Sequence, residues 1–306
     1  MPFNNEEEIK LEREKWKLTD EEFEANLDSV FKELVLTGNA SVNQNPEFIM
    51  VGGQAGGGKS TLVAKELKGL DSGAIVIDQD LLRTKHPRYQ QIHDEYTERE
   101  EFLLLKRYLD RLVNGILDKA STERYNLILE SALRSVSKFI KNTQDLREKG
   151  YRTKLSVLAV PPDEANLSMF TRFCKFLAKD GECRRNTRVD EDSVRKIPEN
   201  IETMDGLGIF DNITISVRGD ESTGYMPTQI YSKKETPGIP PTYIYKTTVA
   251  QGKIPEDEFE RRYTELRAVL EQYGQDVQLK RLDDFYHQFK ERCKDEKSVG
   301  EEYSSH

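Results

Sequence analysis

The chain has 306 residues and a formal net charge of −9, and 36% of its residues are hydrophobic while 33% are charged. This composition is typical of a globular protein and excludes a largely disordered one. The acidic balance argues against nucleic acid as a partner, because phosphate backbones are bound by clustered Lys and Arg. No apolar run approaches the roughly 20 residues that cross a bilayer, and the N-terminus lacks a basic region followed by an apolar one. We therefore expect no membrane contact and a cytoplasmic location.

The first predicted element is an amphipathic helix from about Thr19 to Leu36, after a polar segment at 1–18 that we expect to be flexible. Thr19 and Glu22 have the spacing of a helix capping box. Apolar residues recur behind this box at helical intervals, namely Phe23, Leu27, Val30, Phe31 and Leu34. We interpret this as a helix that packs on the domain that follows.

A glycine-rich loop follows the first predicted strand, Phe48 to Val51. Gly53, four further residues and then Gly58-Lys59-Ser60 fit the phosphate-binding P-loop. Glycines let the backbone turn so that several N–H groups and a helix N-terminus converge on one anion. A flexible linker would require neither the preceding strand nor Lys-Ser at this offset. The predicted nucleotide-binding residues are Gly53, Gln54, Ala55, Gly56, Gly57, Gly58, Lys59, Ser60 and Thr61, with Lys59 on the β- and γ-phosphates and Ser60 on Mg²⁺.

Strands and helices alternate through the rest of this domain. Further strands are predicted near 74–77, 127–129, 155–160 and 212–217, with a possible edge strand at 228–231. Helices are predicted near 60–70, 94–119, 136–148, 163–178 and 190–204. This alternation predicts an α/β fold, a P-loop NTPase-like parallel sheet with helices on both faces. Ligands of such sheets bind at the carboxyl ends of the strands.

The chain beyond this domain is predicted to be a helical extension. We place the P-loop domain at 19–235 and a linker at 236–254, because Pro237 to Pro241 is typical of a boundary. The extension covers 255–293, and a disordered tail covers 294–306. Two amphipathic patterns define the extension, one with Phe259, Tyr263, Leu266 and Leu270 and one with Leu282, Phe285 and Phe289.

Carboxylates stand at the ends of two predicted strands. Asp78 and Asp80 follow the second strand, and we expect Asp78 to act toward Mg²⁺ and Asp80 to be the general base. The alternative is that both cap the next helix. Glu130 ends the third strand, where it could hold the acceptor, reach Mg²⁺ through water, or form an ion pair with Arg134.

Cations that could stabilise a transferring phosphate follow the fourth strand. They are Arg172 and a basic run that includes Arg185. Guanidinium groups match phosphate oxygens in geometry. From spacing alone, a solvated charge run is the alternative interpretation.

An ordered set of motifs resembles the zeta toxin family, the P-loop kinases of bacterial toxin–antitoxin pairs. It spans about Leu18 to Tyr231 and includes L-T-D-E-E-F, G-G-Q-A-G-G-G-K-S-T, V-I-D-Q-D-L-L-R-T-K-H-P, Y-N-L-I-L-E-S-A-L-R, K-G-Y-R-T-K-L-S-V-L-A-V-P and I-P-E-N-I-E-T-M-D-G-L-G-I-F. The resemblance implies phosphorylation of UDP-N-acetylglucosamine at the 3′-hydroxyl of its amino sugar, with ATP or GTP and Mg²⁺. It also implies silencing by a small helical antitoxin.

The resemblance carries over to residues position by position. Lys59 and Ser60 resemble the nucleotide and Mg²⁺ ligands, Asp80 resembles the base, and Arg172 and Arg185 resemble the pair on the transferring phosphate. Glu130 and Arg134 resemble residues of the sugar-nucleotide pocket. A family glutamate that holds the acceptor aligns with Asn114 when counted back from Tyr125-Asn126, and with Val113 when counted forward from His86-Pro87.

Two other functions remain open at this point. One is a P-loop kinase for another small hydroxyl acceptor, such as a different nucleotide sugar, a nucleoside or an antibiotic, which the loss of the glutamate at Asn114 favours. The other is a catalytically silent module that binds a protein partner. The presence of Lys59, Ser60 and Asp80 argues against that module.

Overall fold

The computed structural model describes residues 3, 6–134, 136–181, 183, 187 and 191–304 of the chain. The strands are β1 (Glu47–Gly52), β2 (Ile75–Ile77), β3 (Leu127–Ser131), β4 (Arg152–Leu158), β5 (Asn212–Val217) and β6 (Thr228–Ser232). The helices are α1 (Glu6–Lys15), α2 (Asp20–Thr37), α3 (Lys59–Lys68), α4 (Gln79–Arg83), α5 (Tyr89–Glu95), α6 (Glu98–Glu123), α7 (Ser137–Glu148), α8 (Pro162–Asp180), α9 (Glu191–Gly206), α10 (Pro241–Gln251), α11 (Glu256–Gln272) and α12 (Asp276–Ser304).

The strands form one sheet in the order β2-β3-β1-β4-β5-β6. Strands β1 to β5 are parallel, and β6 is antiparallel to β5 at the edge. This arrangement confirms the predicted α/β fold and the edge strand. Because β1 lies between β3 and β4, the loop after β1 is flanked by the carboxyl ends of both neighbours.

Side chains of β1 alternate between two apolar clusters, one on each face of the sheet. Phe48 and Met50 belong to the cluster covered by α2, α6 and α9. Ile49 and Val51 belong to the cluster covered by α3 and α8. Successive residues of a strand point to opposite faces, so a continuous apolar run is what a strand buried on both faces requires. The predicted two-sided helical cover is therefore confirmed.

The capping box predicted at the start of α2 is present. The side chain of Thr19 accepts a hydrogen bond from the backbone N–H of Glu22 at 3.1 Å, and the Glu22 carboxylate accepts from the N–H of Thr19 at 2.9 Å. The apolar residues behind the box are all buried, namely Phe23, Leu27, Val30, Phe31 and Leu34. The helix thus packs its apolar side into the domain core, as expected.

The N-terminal segment differs from the expectation of flexibility, because residues 6–15 form helix α1. Acidic residues occupy its first turn and basic residues its last, which suits the helix dipole. Arg13 donates a hydrogen bond to the carbonyl of Leu103 on α6 at 2.7 Å, and Trp16 packs edge-on against Tyr96. No residue of α1 is buried, which explains why apolar periodicity did not reveal this helix.

The C-terminal part also contains more helix than predicted. Pro241, which looked like a boundary, is the first residue of α10, where the missing N–H of proline costs no hydrogen bond. Tyr245 anchors α10 in the main core, and α12 continues through the expected tail to Ser304. Among the helices of the described residues, none combines the length and the apolar content needed to cross a bilayer.

Candidate active site

The glycine loop joins β1 to the N-terminus of α3, so the predicted strand–loop–helix order is confirmed. Gly56 and Gly58 have φ values of 72° and 96°, which side-chain-bearing residues rarely adopt. A Cβ on Gly56 would lie only 2.3 Å from the carbonyl oxygen of Ala165. No side chain caps the start of α3, which leaves its first N–H groups available to an anion.

Lys59 lies at the mouth of this loop. Its ammonium donates a hydrogen bond to the carbonyl of Gln54 at 3.3 Å and lies 3.7 Å from Oε1 of Glu130 at the end of β3. Burial lowers the pKa of Lys59, and the Glu130 carboxylate opposes that shift. Burial likewise raises the pKa of Glu130, which the Lys59 ammonium opposes. Glu130 therefore pairs with Lys59.

Asp78 and Asp80 have different roles at the start of α4. Oδ1 of Asp78 accepts from the backbone N–H groups of Asp80 and Leu81 at 2.9 and 3.3 Å, so Asp78 is the N-cap of this helix. The capping alternative thus applies to Asp78. Asp80 instead contacts Arg83 at 3.0 Å and leaves 70% of its side chain exposed. Its negative charge also acts on the Lys59 ammonium.

A polar cavity of about 370 Å³ opens beside Asp80. Its walls come from α4, α5, the first turn of α6, and α8, and they include Asp80, Arg83, His93, Glu101, Arg172 and Asp180. The volume falls in the range of small-molecule sites. Arg172 lines the cavity, and its charge also acts on Lys59. Two residues of the cavity wall, Asp80 and Arg172, are therefore electrostatically coupled to Lys59 of the glycine loop.

Glu101 is a residue of this site that the sequence analysis missed. Its side chain is only 4% exposed, yet it lines the cavity, where Oε2 lies 2.9 Å from Nδ1 of His93 and Oε1 lies 3.7 Å from Nη1 of Arg83. The one sequence signal was the Thr97–Glu100 capping box, which starts α6 beside Glu101. A buried carboxylate at a cavity wall is suited to accept hydrogen bonds from sugar hydroxyls.

Asn114 lies elsewhere on the same helix, on its exposed side. One turn before and one turn after it, Asp110 and Asp118 form ion pairs with Lys138 and Lys149 at the two ends of α7. Glu101, and not Asn114, lines the cavity among the described residues. The predicted substrate-binding role of Asn114 therefore has no support in this arrangement.

The remaining predicted site residues are distributed as follows. Ser60 is exposed in the first turn of α3, with Thr61 beside it. The side-chain amide of Gln54 donates a hydrogen bond to the carbonyl of Val160 at 2.8 Å. Arg134 is exposed just after β3. Arg185 lies outside the described residues, so its predicted role stays a prediction.

Comparisons with known proteins agree with this architecture. Residues 33–229 match the family model described as zeta toxin. The chain is 30% identical to "Toxin zeta" of Streptococcus pyogenes, over 73% of this chain and 75% of that protein. It is also 30% identical to "Toxin PezT" of Streptococcus pneumoniae, over 68% of this chain and 81% of that protein.

Two solved structures share the fold. One belongs to the PezAT chromosomal toxin–antitoxin system of Streptococcus pneumoniae, with a TM-score of 0.70 and 23% identity over 85% of this chain and 98% of that one. The other is AvrRxo1-ORF1:-ORF2 with ATP, with a TM-score of 0.53 and 11% identity over 89% of this chain and 91% of that one.

Proposed function

This chain belongs to the zeta toxin family, and we propose on that premise that it transfers the γ-phosphate of ATP or GTP to the 3′-hydroxyl of the amino sugar of UDP-N-acetylglucosamine. Family membership supports the coarser statement, a toxin kinase of the toxin–antitoxin type. The named acceptor and the resulting block of cell-wall synthesis are the finer part of the proposal. This acceptor would place the reaction in the cytoplasm.

One observation carries the proposal, namely the position of Asp80. Asp80 lines the cavity and acts electrostatically on Lys59. A kinase needs this arrangement, because donor phosphate and acceptor hydroxyl must be held in contact while water is excluded. A module that only binds a protein partner has no need of a carboxylate between an ammonium and a cavity.

The donor side suits a nucleoside triphosphate. The uncapped N–H groups at the start of α3 and the Lys59 ammonium form a set of donors for phosphate oxygens. The Ser60 hydroxyl and the carboxylate oxygen of Asp78 that does not cap α4 are the groups that would hold Mg²⁺. When bound, Mg²⁺ neutralises charge on the β- and γ-phosphates.

On the acceptor side, Asp80 takes the proton of the attacking hydroxyl as general base. Its exposed side chain can reach a substrate, and Arg83 holds it in place. Arg172, together with Arg185, stabilises the charge of the transferring phosphate. Glu101 binds sugar hydroxyls from the cavity wall, and Glu130 and Arg134 are the further proposed contacts of the sugar nucleotide at and after the end of β3.

A small helical antitoxin is the proposed partner. Two solved relatives of this fold are described with partner systems, the PezAT toxin–antitoxin system and AvrRxo1-ORF1:-ORF2. Helix α2 has most of its apolar side buried in the domain, so it would offer its exposed polar side and Leu36, which is 76% exposed, to such a partner. We expect co-expression of the antitoxin to restore growth to bacteria that express this chain.

An acceptor screen tests the function. The full chain is incubated with Mg²⁺ and γ-labelled ATP, and label transfer to UDP-N-acetylglucosamine, UDP, other nucleotide sugars and nucleosides is compared. We expect label on UDP-N-acetylglucosamine and none on UDP. Label on a different small hydroxyl would instead support the broader kinase alternative, and label on no acceptor would contradict a kinase function.

A further inference from the structure

A partly buried charge cluster connects the C-terminal extension to helix α8. Arg262 of α11 donates to both carboxylate oxygens of Glu164 on α8, each at 2.9 Å. Arg218, which follows β5, forms an ion pair with the same carboxylate and donates to the hydroxyl of Ser168 at 2.8 Å. The side chains of Arg262 and Glu164 are only 15% and 18% exposed. One carboxylate therefore holds two guanidinium groups together.

Arg218 continues this cluster to the glycine loop. Its Nη2 donates to the carbonyl of Gly56 at 2.6 Å, and its guanidinium lies 3.6 to 3.7 Å from where a Cβ on Gly58 would stand. In a trans peptide, the carbonyl of residue 56 and the N–H of residue 57 point in opposite directions. Because Arg218 fixes this carbonyl, it also fixes the direction of the Gly57 N–H, which donates to the backbone carbonyl of Gln54 at 3.1 Å.

Electrostatics make each member of the cluster depend on the others. Two guanidinium groups share the Glu164 carboxylate, so loss of Glu164 would increase their mutual repulsion, which the more distant Glu258, 3.8 Å from Arg262, would offset in part. Loss of Arg262 would remove the Nη1 group that donates to both oxygens of Glu164 and orients this carboxylate. Arg218 would then contact a less constrained partner, and its hydrogen bond to Gly56 would weaken.

We propose that Arg262 is a positioning residue for nucleotide binding, which acts through Glu164 and Arg218 on the peptide between Gly56 and Gly57. Helix α11 lies outside residues 33–229, the part matched by the family model. In this proposal, the extension stabilises the nucleotide-binding conformation of the glycine loop and does not itself contact the nucleotide. This inference rests on the proposed function, because it presumes that the loop binds a nucleotide.

Binding of AMP-PNP with Mg²⁺ to the full chain, measured by calorimetry, tests the proposal. We expect Arg262→Met and Glu164→Gln each to raise the dissociation constant about tenfold, the loss of roughly one charge-assisted hydrogen bond. Arg262→Lys keeps one contact to Glu164 and should recover part of the affinity. The matched control is Arg261→Met, since its neighbour Arg261 pairs with Glu265 on the exposed side of α11 and should bind like wild type.

A double variant and steady-state kinetics separate positioning from a merely structural role. If Arg262 acts through Arg218, Arg262→Met should add nothing to the loss already caused by Arg218→Met. In kinetics with ATP, KM for the nucleotide should rise while kcat stays near wild type. Additive losses of affinity in the double variant would overturn this inference alone. Unchanged nucleotide binding in Arg262→Met, while Lys59→Met abolishes binding, would do the same. Failure of the wild-type chain to bind the nucleotide would overturn the proposed function as well.

Discussion

Lys59 at the start of α3 and Glu130 on β3 form an ion pair, with 3.7 Å between Nζ and Oε1. Glu130 stands beside Val51 in the register of β3 with β1, so the carboxylate lies next to the start of the glycine loop. Burial works against the charge on both groups. Each group therefore depends on the other for its ionised form until phosphate oxygens enter the loop.

The first prediction concerns this pair. Removing one partner leaves a buried charge uncompensated, whereas removing both leaves none. We expect Lys59→Met/Glu130→Gln to be more stable than the sum of the two single effects implies, by about 1 to 3 kcal/mol. Urea unfolding at pH 7 measures this coupling. The exposed pair Arg261 and Glu265 is the control, with an expected coupling below about 1 kcal/mol; equal coupling in both pairs would contradict the account.

The second prediction compares Glu101 with Asn114 as the carboxylate or amide that binds the acceptor. We expect Glu101→Gln to raise KM for the sugar nucleotide by about ten- to a hundredfold, because a hydrogen bond to a charged group is lost. Asn114→Ala should leave it unchanged, since Asn114 lies on the exposed side of α6. KM for ATP serves as the internal control and should move little in either variant. A large effect in Asn114→Ala would contradict this assignment.

The third prediction concerns the acid stability of the chain and rests on His86. Nδ1 of its ring accepts the N–H of Arg88 at 3.1 Å, and Nε2 lies 3.1 Å from the carbonyl of Trp16. Burial lowers the pKa of His86 to about 4. The folded pKa lies below the ordinary value, so the neutral ring stabilises the fold above pH 6.5, and this contribution is lost as the pH falls toward 4.

As the pH falls from 6.5 to about 4, we expect the contribution of His86 to the free energy of unfolding to decrease by roughly 3 kcal/mol. Urea unfolding at a series of pH values measures the change, which His86→Gln should reduce. His287→Gln is the control, since His287 is exposed. An unaltered pH dependence in His86→Gln would disprove the role of this ring.

The fourth prediction concerns the extension. Phe259 is fully buried and stacks on Phe289 with 3.7 Å between ring centroids, in a cluster that also contains α8 residues such as Phe173. We expect Phe259→Ala to cost about 3 to 5 kcal/mol of stability. Tyr243→Ala should cost less than about 0.5 kcal/mol, since Tyr243 is 62% exposed. If Phe259→Ala were as mild, the extension would not share a core with α8.

Local features of the site were predictable from the sequence, and long-range ones were not. The glycine loop and Asp80 each follow an apolar strand directly, so the pattern itself places them at one edge of the sheet. Glu101 reaches the cavity only because α4 and α5 turn the chain before α6 begins. Likewise, Arg262 and Arg218 meet at Glu164 through packing of α11 on α8. A charged residue in the sequence does not by itself indicate such a contact, because most charged residues are exposed to solvent.

The central claim is that Asp80 removes a proton from an amino-sugar hydroxyl held beside the phosphate loop. Mass spectrometry of UDP-N-acetylglucosamine incubated with ATP and Mg²⁺ tests it most directly, with the wild-type chain and Asp80→Asn side by side. We predict a mass gain of one phosphate on the amino sugar with wild type, and a rate lower by about 10²- to 10⁴-fold with Asp80→Asn while AMP-PNP binding persists. A wild-type rate in Asp80→Asn, or an unmodified sugar nucleotide in every reaction, would contradict the claim.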